Sequence, residues 1–146
     1  MFEELNGKKL LSEMQGGEMI YLSIPYTHPD PDVRRKRFEI ANEVAAYLIS
    51  YCGEHVYSPI SHGHAIFDGR CTASCPGEKY WPEFEAKIMP ICTEMYVICV
   101  SGWKTSAGVK REIELAKALG IPVRYWEVLE TNINRRNSLK CTPTNP

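Results

Sequence analysis

The chain lacks the long apolar segments that a membrane protein or a secreted protein would carry. No apolar run approaches the ~20 residues needed to span a bilayer, and the first 18 residues have no signal-peptide core. The net charge of -1 leaves no excess of the basic residues that a general nucleic-acid binder needs. We therefore expect a cytoplasmic protein that binds neither membranes nor nucleic acid polymers.

Sequence motifs for cofactors and metals are also missing. Neither a P-loop nor a G-x-G-x-x-G fingerprint occurs. Two histidines and two cysteines have the spacing H-x-H and C-x3-C, which matches no standard zinc site: His62, His64, Cys71 and Cys75. We expect no cofactor and no metal, and we expect the six cysteines to be reduced thiols, since no secretory signal precedes them.

Most of the chain is predicted to form a single domain, which is long enough to bury a hydrophobic core. This domain is predicted to cover residues 19–130. Residues 1–18 are predicted to be an N-terminal extension, and residues 131–146 a flexible polar tail.

Short apolar runs and helical periodicity alternate within this domain. The runs predict buried strands at residues 19–24, 55–60, 95–100 and 121–128. The periodicity predicts helices at residues 31–52 between caps Asp30 and Gly53, at 81–92 with an interruption near Pro90, and at 107–119 before Gly120. The turn-rich residues 61–78 predict a long loop. This order predicts an α/β fold: an open parallel, flavodoxin- or Rossmann-like sheet of about five strands with helices on both faces.

The start of the last predicted helix is the best candidate for a ligand site. In open parallel sheets, ligands bind beyond the carboxyl ends of the strands, and the turn S-G-W-K-T-S-A-G directly follows a predicted strand. Ser106 can cap the helix, and Gly108 lets a ligand approach the backbone, so the free N–H groups would suit an anion. An ordinary serine N-cap without a ligand explains the same pattern.

Glu112 lies near the predicted buried side of this helix. The apolar residues predicted to be buried recur at helical spacing: Val109, Ile113, Ala116 and Leu119. Glu112 falls at the edge of this stripe, whereas Glu114 faces solvent. A carboxylate less than two turns from a ligand-binding helix start is a candidate nucleophile or base. The structural alternative is a rim glutamate paired with Lys110, Arg111 or a partner chain.

The first strand offers polar partners for this carboxylate. Tyr21 and Ser23 fall on one face by the two-residue period, and a buried tyrosine hydroxyl there would need a partner such as a neighbouring carboxylate. Tyr21 as a plain strand aromatic is the alternative. A second carboxylate for acid–base chemistry could come from Glu83 or Glu85.

The basic run R-R-K-R at residues 34–37 is unusual, because basic residues in the first turns of a helix oppose the helix dipole. Either Arg34 or Arg37 faces an anionic substrate, or the run forms a solvated surface cluster with Asp30 and Asp32.

Two stretches of the sequence are distinctive in combination: I-Y-L-S-I-P-Y near the start and S-A-G-V-K-R-E-I-E-L-A-K-A-L-G-I-P-V near the end. With the order of elements between them, they resemble the nucleoside 2-deoxyribosyltransferase-like superfamily. Within it, Y-T-H-P-D, R-F-E-I-A-N-E-V-A, S-P-I-S-H and G-W-K-T-S-A-G-V look most like a small bacterial family of uncharacterised proteins. The match covers about residues 19–128 and is more specific for the fold than for the substrate.

The resemblance implies a covalent mechanism. In the superfamily a glutamate attacks C1′ of the (deoxy)ribose, and water or a second base then accepts the sugar. Glu112 stands in the place of that glutamate, and Tyr21 in the place of the tyrosine that orients it. Glu85 is the nearest match to an acidic residue that contacts the base or acts as the acid, although aspartate is usual there.

The resemblance also implies a substrate pocket and self-association. Ser106 before A-G is similar to members that hydrolyse nucleoside 5′-monophosphates and hold the phosphate with a serine; transferases of free nucleosides often carry aspartate there. Further residues in the matching segments are expected to line the pocket: Ser23, Pro25, Tyr26, Arg37, Trp103 and Gly108. Ile24 replaces a typical glycine and would narrow the pocket. Superfamily members usually form dimers or larger assemblies, so we expect a homo-oligomer.

Three functions are compatible with these observations. The first is cleavage or transfer of the N-glycosidic bond of a nucleoside 5′-monophosphate or nucleoside, through a covalent glycosyl–Glu112 intermediate. The second is a non-catalytic module that binds a nucleotide or phosphosugar. The third is a scaffold protein with a vestigial pocket. Release of a free base would identify the first function, and ligand binding without turnover would identify the second. Absence of both would identify the third.

Overall fold

The computed structural model describes residues 18–68 and 79–127 of the chain. Its strands are β1 (Met19–Ser23), β2 (His55–Tyr57), β3 (Glu94–Ile98) and β4 (Val123–Trp126). Its helices are α1 (Pro31–Cys52), α2 (Pro59–Phe67), α3 (Tyr80–Ile88) and α4 (Ala107–Ala118), with 3-10 turns at Met89–Ile91 and Trp103–Thr105. The predicted N-terminal extension, apart from Glu18, lies outside the described residues, as do the predicted C-terminal tail, Cys71 and Cys75.

The strands form one sheet in the order β2-β1-β3-β4, and every neighbouring pair is parallel. This confirms the predicted α/β class with an open parallel sheet, although the described residues contain four strands rather than about five. The chain runs from β1 to β2 on one side of β1 and later enters β3 on the other side. The carboxyl ends of β1 and β3 therefore flank the switch point in strand order, where ligands bind in this class of sheet.

Helices cover both faces of the sheet, as predicted. On one face, Ile20 and Leu22 of β1 pack in a cluster with Val44 and Leu48 of α1. On the other face, the cluster contains Tyr21, Val97 of β3, and Val109 and Ala116 of α4. Burial on both faces explains why the strands appear in the sequence as continuous apolar runs.

Ile24, just beyond β1, belongs to the α1 cluster and is 4% exposed. Side chains alternate between the two faces of the sheet along an extended chain, so those of Ser23 and Tyr21 lie on the face opposite to that of Ile24. The expectation that Ile24 narrows a pocket beside Glu112 is therefore wrong, because its side chain is part of the core on the other face.

Local signals define both ends of α1. The Asp30 carboxylate accepts a hydrogen bond from the Asp32 N–H at 2.9 Å, and Pro31 occupies the first turn. Gly53 ends the helix with φ 68°, a left-handed conformation that favours glycine. These predicted caps are confirmed.

Helix α2 contradicts the first part of the loop predicted at residues 61–78. Ser58 caps this helix by accepting from the Ser61 N–H at 3.3 Å, and Pro59 occupies its first turn. Pro59 thus follows the end of β2 at Tyr57 and also favours a helix start. Gly63 lowers the helix propensity of the segment, but a Cβ there would lie 3.0 Å from the Trp81 ring, so packing favours glycine.

The boundary between α3 and the following 3-10 turn confirms the predicted interruption near Pro90. No helix within the part of the chain that the structure describes combines the length and apolar character required to cross a bilayer.

Candidate active site

Glu112 is buried between α4 and the sheet. It is 6% exposed, so it lies within the buried stripe of α4 rather than at its edge. Leu119, predicted to be buried on the same helix, is 44% exposed because α4 ends at Ala118. A glutamate thus occupies a core position, where an unpaired charge would be costly.

Two hydroxyl groups of β1 compensate for this burial. The Tyr21 hydroxyl donates to Oε1 of Glu112 at 2.9 Å, and the Ser23 hydroxyl donates to Oε2. Tyr21 is 0% exposed and Ser23 is 1% exposed, so both bonds are shielded from solvent. The predicted contact between Tyr21 and a neighbouring carboxylate is confirmed.

Opposing effects set the ionisation of Glu112. Burial, with a smaller contribution from the charge of Glu85, raises the pKa of Glu112 to about 7, although the hydrogen bonds from Ser23 and Tyr21 lower it. Burial also raises the pKa of Tyr21, so its phenol remains a hydrogen-bond donor at neutral pH. A buried carboxyl group that changes charge near neutral pH is typical of a functional site.

Glu85 lies close by on α3 and pairs with Arg111. The Arg111 Nε donates to Glu85 Oε2 and its Nη2 to Glu85 Oε1, both at 3.0 Å. Burial raises the pKa of Glu85, and the Arg111 charge and hydrogen bonds oppose that rise. The Arg111 side chain is 41% exposed whereas that of Glu85 is 8% exposed, so the ion pair connects a buried carboxylate to the surface.

The start of α4 has the geometry predicted for it. The Ser106 Oγ accepts from the Val109 N–H at 3.3 Å, so Ser106 is the N-cap. A Cβ on Gly108 would come no nearer than 3.9 Å to Arg111 Nη2 or Ser106 Oγ, an ordinary contact distance. Packing within the protein therefore does not require glycine here, and the cap leaves the Ser106 hydroxyl proton able to donate to a ligand.

Arg37 spans the switch point of the sheet. From α1 it donates to the carbonyl oxygens of Tyr26 (3.4 Å) and Thr27 (3.3 Å), and to that of Ser101 (3.2 Å). The first two carbonyls follow β1 and the third follows β3. Pro25, at the start of the first loop, is fully buried. Arg37 thus places a positive charge between the two loops that border the carboxyl ends of the central strands.

His64 of α2 holds the Tyr26 side chain. The Tyr26 hydroxyl and His64 Nδ1 are hydrogen-bonded at 2.6 Å, and the His64 ring stacks on Phe38 with centroids 4.3 Å apart. His64 Nε2 lies 3.7 Å from Asp68 Oδ2, which is too far for a hydrogen bond. Tyr26 is therefore fixed against α2 rather than joined to the Glu112 group.

Trp103 lies in the 3-10 turn before α4 and packs against Tyr125 of β4, with ring centroids 5.4 Å apart. Lys104 Nζ lies 5.6 Å from the centre of the Trp103 ring. Trp103 also packs against the cluster that contains Tyr21 and Val109.

Among residues 18–68 and 79–127, no three histidine, cysteine or acidic side chains are grouped as metal ligands would be. His62 stacks on Phe84, with centroids 5.6 Å apart, whereas His64 is bonded to Tyr26.

Sequence reasoning missed three residues near the site. The sequence suggested Arg111 only as an alternative partner of Glu112. Its bond to Glu85 joins residues 26 positions apart, and no local pattern indicates such a contact. His64 was considered only for metal binding. Tyr57 is the third, and it lies on β2 beside Tyr21. Aligning the predicted strands β1 and β2 in parallel would have indicated that these two tyrosines are neighbours.

Comparisons with known proteins define the family of the chain. The comparison with curated proteins found no match. A family model described as a domain of unknown function (DUF1937) matches residues 18–128, which include every described strand and helix. The chain therefore belongs to the DUF1937 family.

Proposed function

We propose that this protein cleaves or transfers the N-glycosidic bond of a nucleoside 5′-monophosphate or nucleoside, with Glu112 as the nucleophile. The main support is the buried Glu112 carboxyl group, which Tyr21 and Ser23 hold by hydrogen bonds to both of its oxygens. The resemblance of the same residues to the nucleoside 2-deoxyribosyltransferase-like superfamily is the second support.

The reaction proposed for Glu112 has two steps. In the first, a carboxylate oxygen forms a bond to C1′, the C1′–N bond breaks, and its electron pair leaves with the base. In the second, water or another base attacks C1′, and the carboxylate leaves. The donors Tyr21 and Ser23 fix the orientation of the carboxylate, which lowers the entropic cost of reaching the attacking geometry.

Glu85 is proposed to deliver the proton that the departing base requires. Burial raises the pKa of Glu85 above its ordinary value, against the opposing effect of Arg111, so its protonated form is more accessible than that of an exposed glutamate. Protonation would weaken the ion pair with Arg111 and free that guanidinium group to bind an anionic part of the substrate.

The phosphate of a nucleotide would bind at the start of α4. Ser106 caps this helix, and the space beside Gly108 admits close approach to the backbone N–H groups. Pro25 and Tyr26 of the first loop, together with Arg37 of α1, would border the sugar. Trp103, in the turn before the helix, would border the same substrate.

The test is release of free base from a panel of ribo- and deoxyribonucleoside 5′-monophosphates and nucleosides. Wild-type protein should release a base from at least one of them, and Glu112→Gln should lower the rate by at least about 1,000-fold because Gln cannot act as the nucleophile. Glu114→Gln is the matched control, since Glu114 is exposed on the same helix and should be neutral to activity.

Retained turnover in a folded Glu112→Gln protein would reject the mechanism. Saturable binding of a nucleotide without base release from any substrate would instead identify a non-catalytic binding module.

A further inference from the structure

Tyr57 lies beside Tyr21 on the face of the sheet that carries Glu112. The two tyrosines are register partners on the parallel strands β2 and β1. Their ring centroids are 5.9 Å apart, and Tyr57 packs against the cluster that contains Tyr21 and Val109. Tyr57 is thus a second tyrosine of the candidate site, on the neighbouring strand.

The hydroxyl group of Tyr57 is buried and has no hydrogen-bond partner among residues 18–68 and 79–127. Tyr21, one strand away, donates to Glu112. Among the described residues, Tyr57 Oη is the one buried side-chain oxygen or nitrogen without a partner. Folding has therefore removed this hydroxyl from water without providing a replacement bond, which is unfavourable unless another interaction requires it.

The surroundings of Tyr57 keep its hydroxyl protonated. Burial, with smaller contributions from the charges of Glu85 and Glu112, raises the pKa of Tyr57 to about 12. The group is thus available as a hydrogen-bond donor throughout the physiological range rather than as a base. Tyr57 is the register partner of Tyr21, which bonds Glu112, so this donor lies one strand away from the proposed nucleophile.

Neighbouring rings hold Tyr57 in place. Its ring centroid lies 6.4 Å from that of Phe84 and 6.5 Å from that of His62, and those two rings are nearly parallel, at 3°. A ring packed on several sides has little freedom to turn its hydroxyl elsewhere.

We propose that Tyr57 is a substrate-binding residue whose hydroxyl donates a hydrogen bond to the base that leaves from C1′. This inference rests on the proposed function. When the C1′–N bond breaks, the electron pair moves onto the base, and a donor bonded to the base stabilises the developing negative charge. Tyr57 keeps its proton throughout, and the proton that the base finally acquires comes from Glu85 or water.

Tyr57→Phe separates this role from a structural one. Removing an unpartnered buried hydroxyl should leave the melting temperature unchanged or higher. Removing a donor to developing charge should lower kcat/KM for base release by about 10- to 100-fold. A variant at least as stable as wild type but much slower would support substrate contact.

Tyr96→Phe is the matched control. Tyr96 is 6% exposed and belongs to the cluster on the opposite face of the sheet, and its hydroxyl group interacts with Glu94, which raises the pKa of Tyr96 further beyond the effect of burial. Its loss should lower the melting temperature slightly and leave kcat/KM unchanged, the reverse of the result expected for Tyr57→Phe.

Wild-type activity in a stable Tyr57→Phe protein would overturn this inference and leave the role of Glu112 intact. If the wild-type protein released no base, the proposed function would fail. Thermal shifts with the same nucleotides would then test whether the Tyr57 hydroxyl contacts the base. A shift that is present in wild type and lost in Tyr57→Phe would support contact with the base. An equal shift in both proteins, or none in either, would overturn it.

Discussion

Glu112 shows how one buried residue can be prepared for chemistry by opposing effects. Burial and the charge of Glu85 favour its neutral form, whereas the Ser23 and Tyr21 hydroxyls favour its ionised form. With a pKa of about 7, both forms are present at neutral pH. A nucleophilic role requires the ionised form, so activity should rise as the pH increases through this range.

Ser23→Ala tests this balance. The Ser23 hydroxyl lowers the pKa of Glu112, so its loss should raise that pKa and move the acid limb of kcat to higher pH. The measurement is kcat between pH 5 and pH 9 in wild type and variant. Ser61→Ala, which removes a hydroxyl that bonds Ser58 on α2, should leave the limb in place.

An acid limb that stayed in place or moved to lower pH in Ser23→Ala would contradict Glu112 as the group whose ionisation limits the rate. A fall in the limiting kcat at high pH, in addition to the shift of the limb, would show that Ser23 also orients the carboxylate.

The residues of the site differ in how far the sequence could identify them. The two-residue period of β1 paired Tyr21 with Ser23, and the helical period placed Glu112 near the buried side of α4. The unpartnered hydroxyl of Tyr57 has no local signature, because it depends on strand register and on all the groups around it. The Glu85–Arg111 pair likewise depends on how α3 and α4 pack.

At the scale of elements, capping residues correctly predicted the ends of helices, whereas the interior of α2 did not indicate a helix. Asp30, Gly53 and Ser106 act within one helical turn, so the sequence contains the whole signal. Helix α2 differs from the prediction, because Pro59 lies within the strand predicted at residues 55–60 and Gly63 within the loop predicted at residues 61–78. The glycine accommodates the Trp81 ring, and that contact is made only after α3 packs.

Arg37→Ala tests the connection between α1 and the two loops at the switch point. The guanidinium donates to carbonyls of Tyr26, Thr27 and Ser101, so its loss should reduce the free energy of unfolding by about 1 to 3 kcal/mol. The same change should lower kcat/KM, because both loops border the proposed substrate. Urea unfolding and base release measure the two effects.

Arg35→Ala provides the comparison on the same helix. Arg35 pairs with Asp32 at 3.0 Å, but both side chains are largely exposed, so its loss should change stability by less than about 0.5 kcal/mol. Equal effects of the two substitutions would contradict a bridging role for Arg37.

At the scale of the whole molecule, the strand order determines which residues can meet. Apolar runs predicted the α/β class, since strands buried on both faces have continuous apolar sequences. Local patterns could not supply the order β2-β1-β3-β4, because pairing joins residues far apart in the chain. That order makes β1 a central strand and so surrounds Tyr21 and Ser23 with β2, β3 and α4.

The site also links the stability of the whole domain to pH. In the unfolded chain Glu112 would titrate near its ordinary value of 4.5, whereas in the folded protein its pKa is about 7. Between these values the folded state holds a proton that the unfolded state has released, so this group favours folding at low pH. Its contribution is lost as the pH rises through this window, with a full effect of about 3 kcal/mol.

Glu112→Gln should therefore stabilise the domain at pH 8, where the wild-type protein holds a buried charge, and should have little effect at pH 4.5. The difference in the free energy of unfolding, measured by urea denaturation at both pH values, should grow with pH. Glu114→Gln, on the exposed side of α4, should show no such trend. A Glu112→Gln protein less stable than wild type at pH 8 would mean that the two hydroxyl bonds outweigh the cost of burial. The predicted result would mean that the fold retains an unfavourable carboxylate at its core, which is expected where a residue is kept for its chemistry rather than for stability.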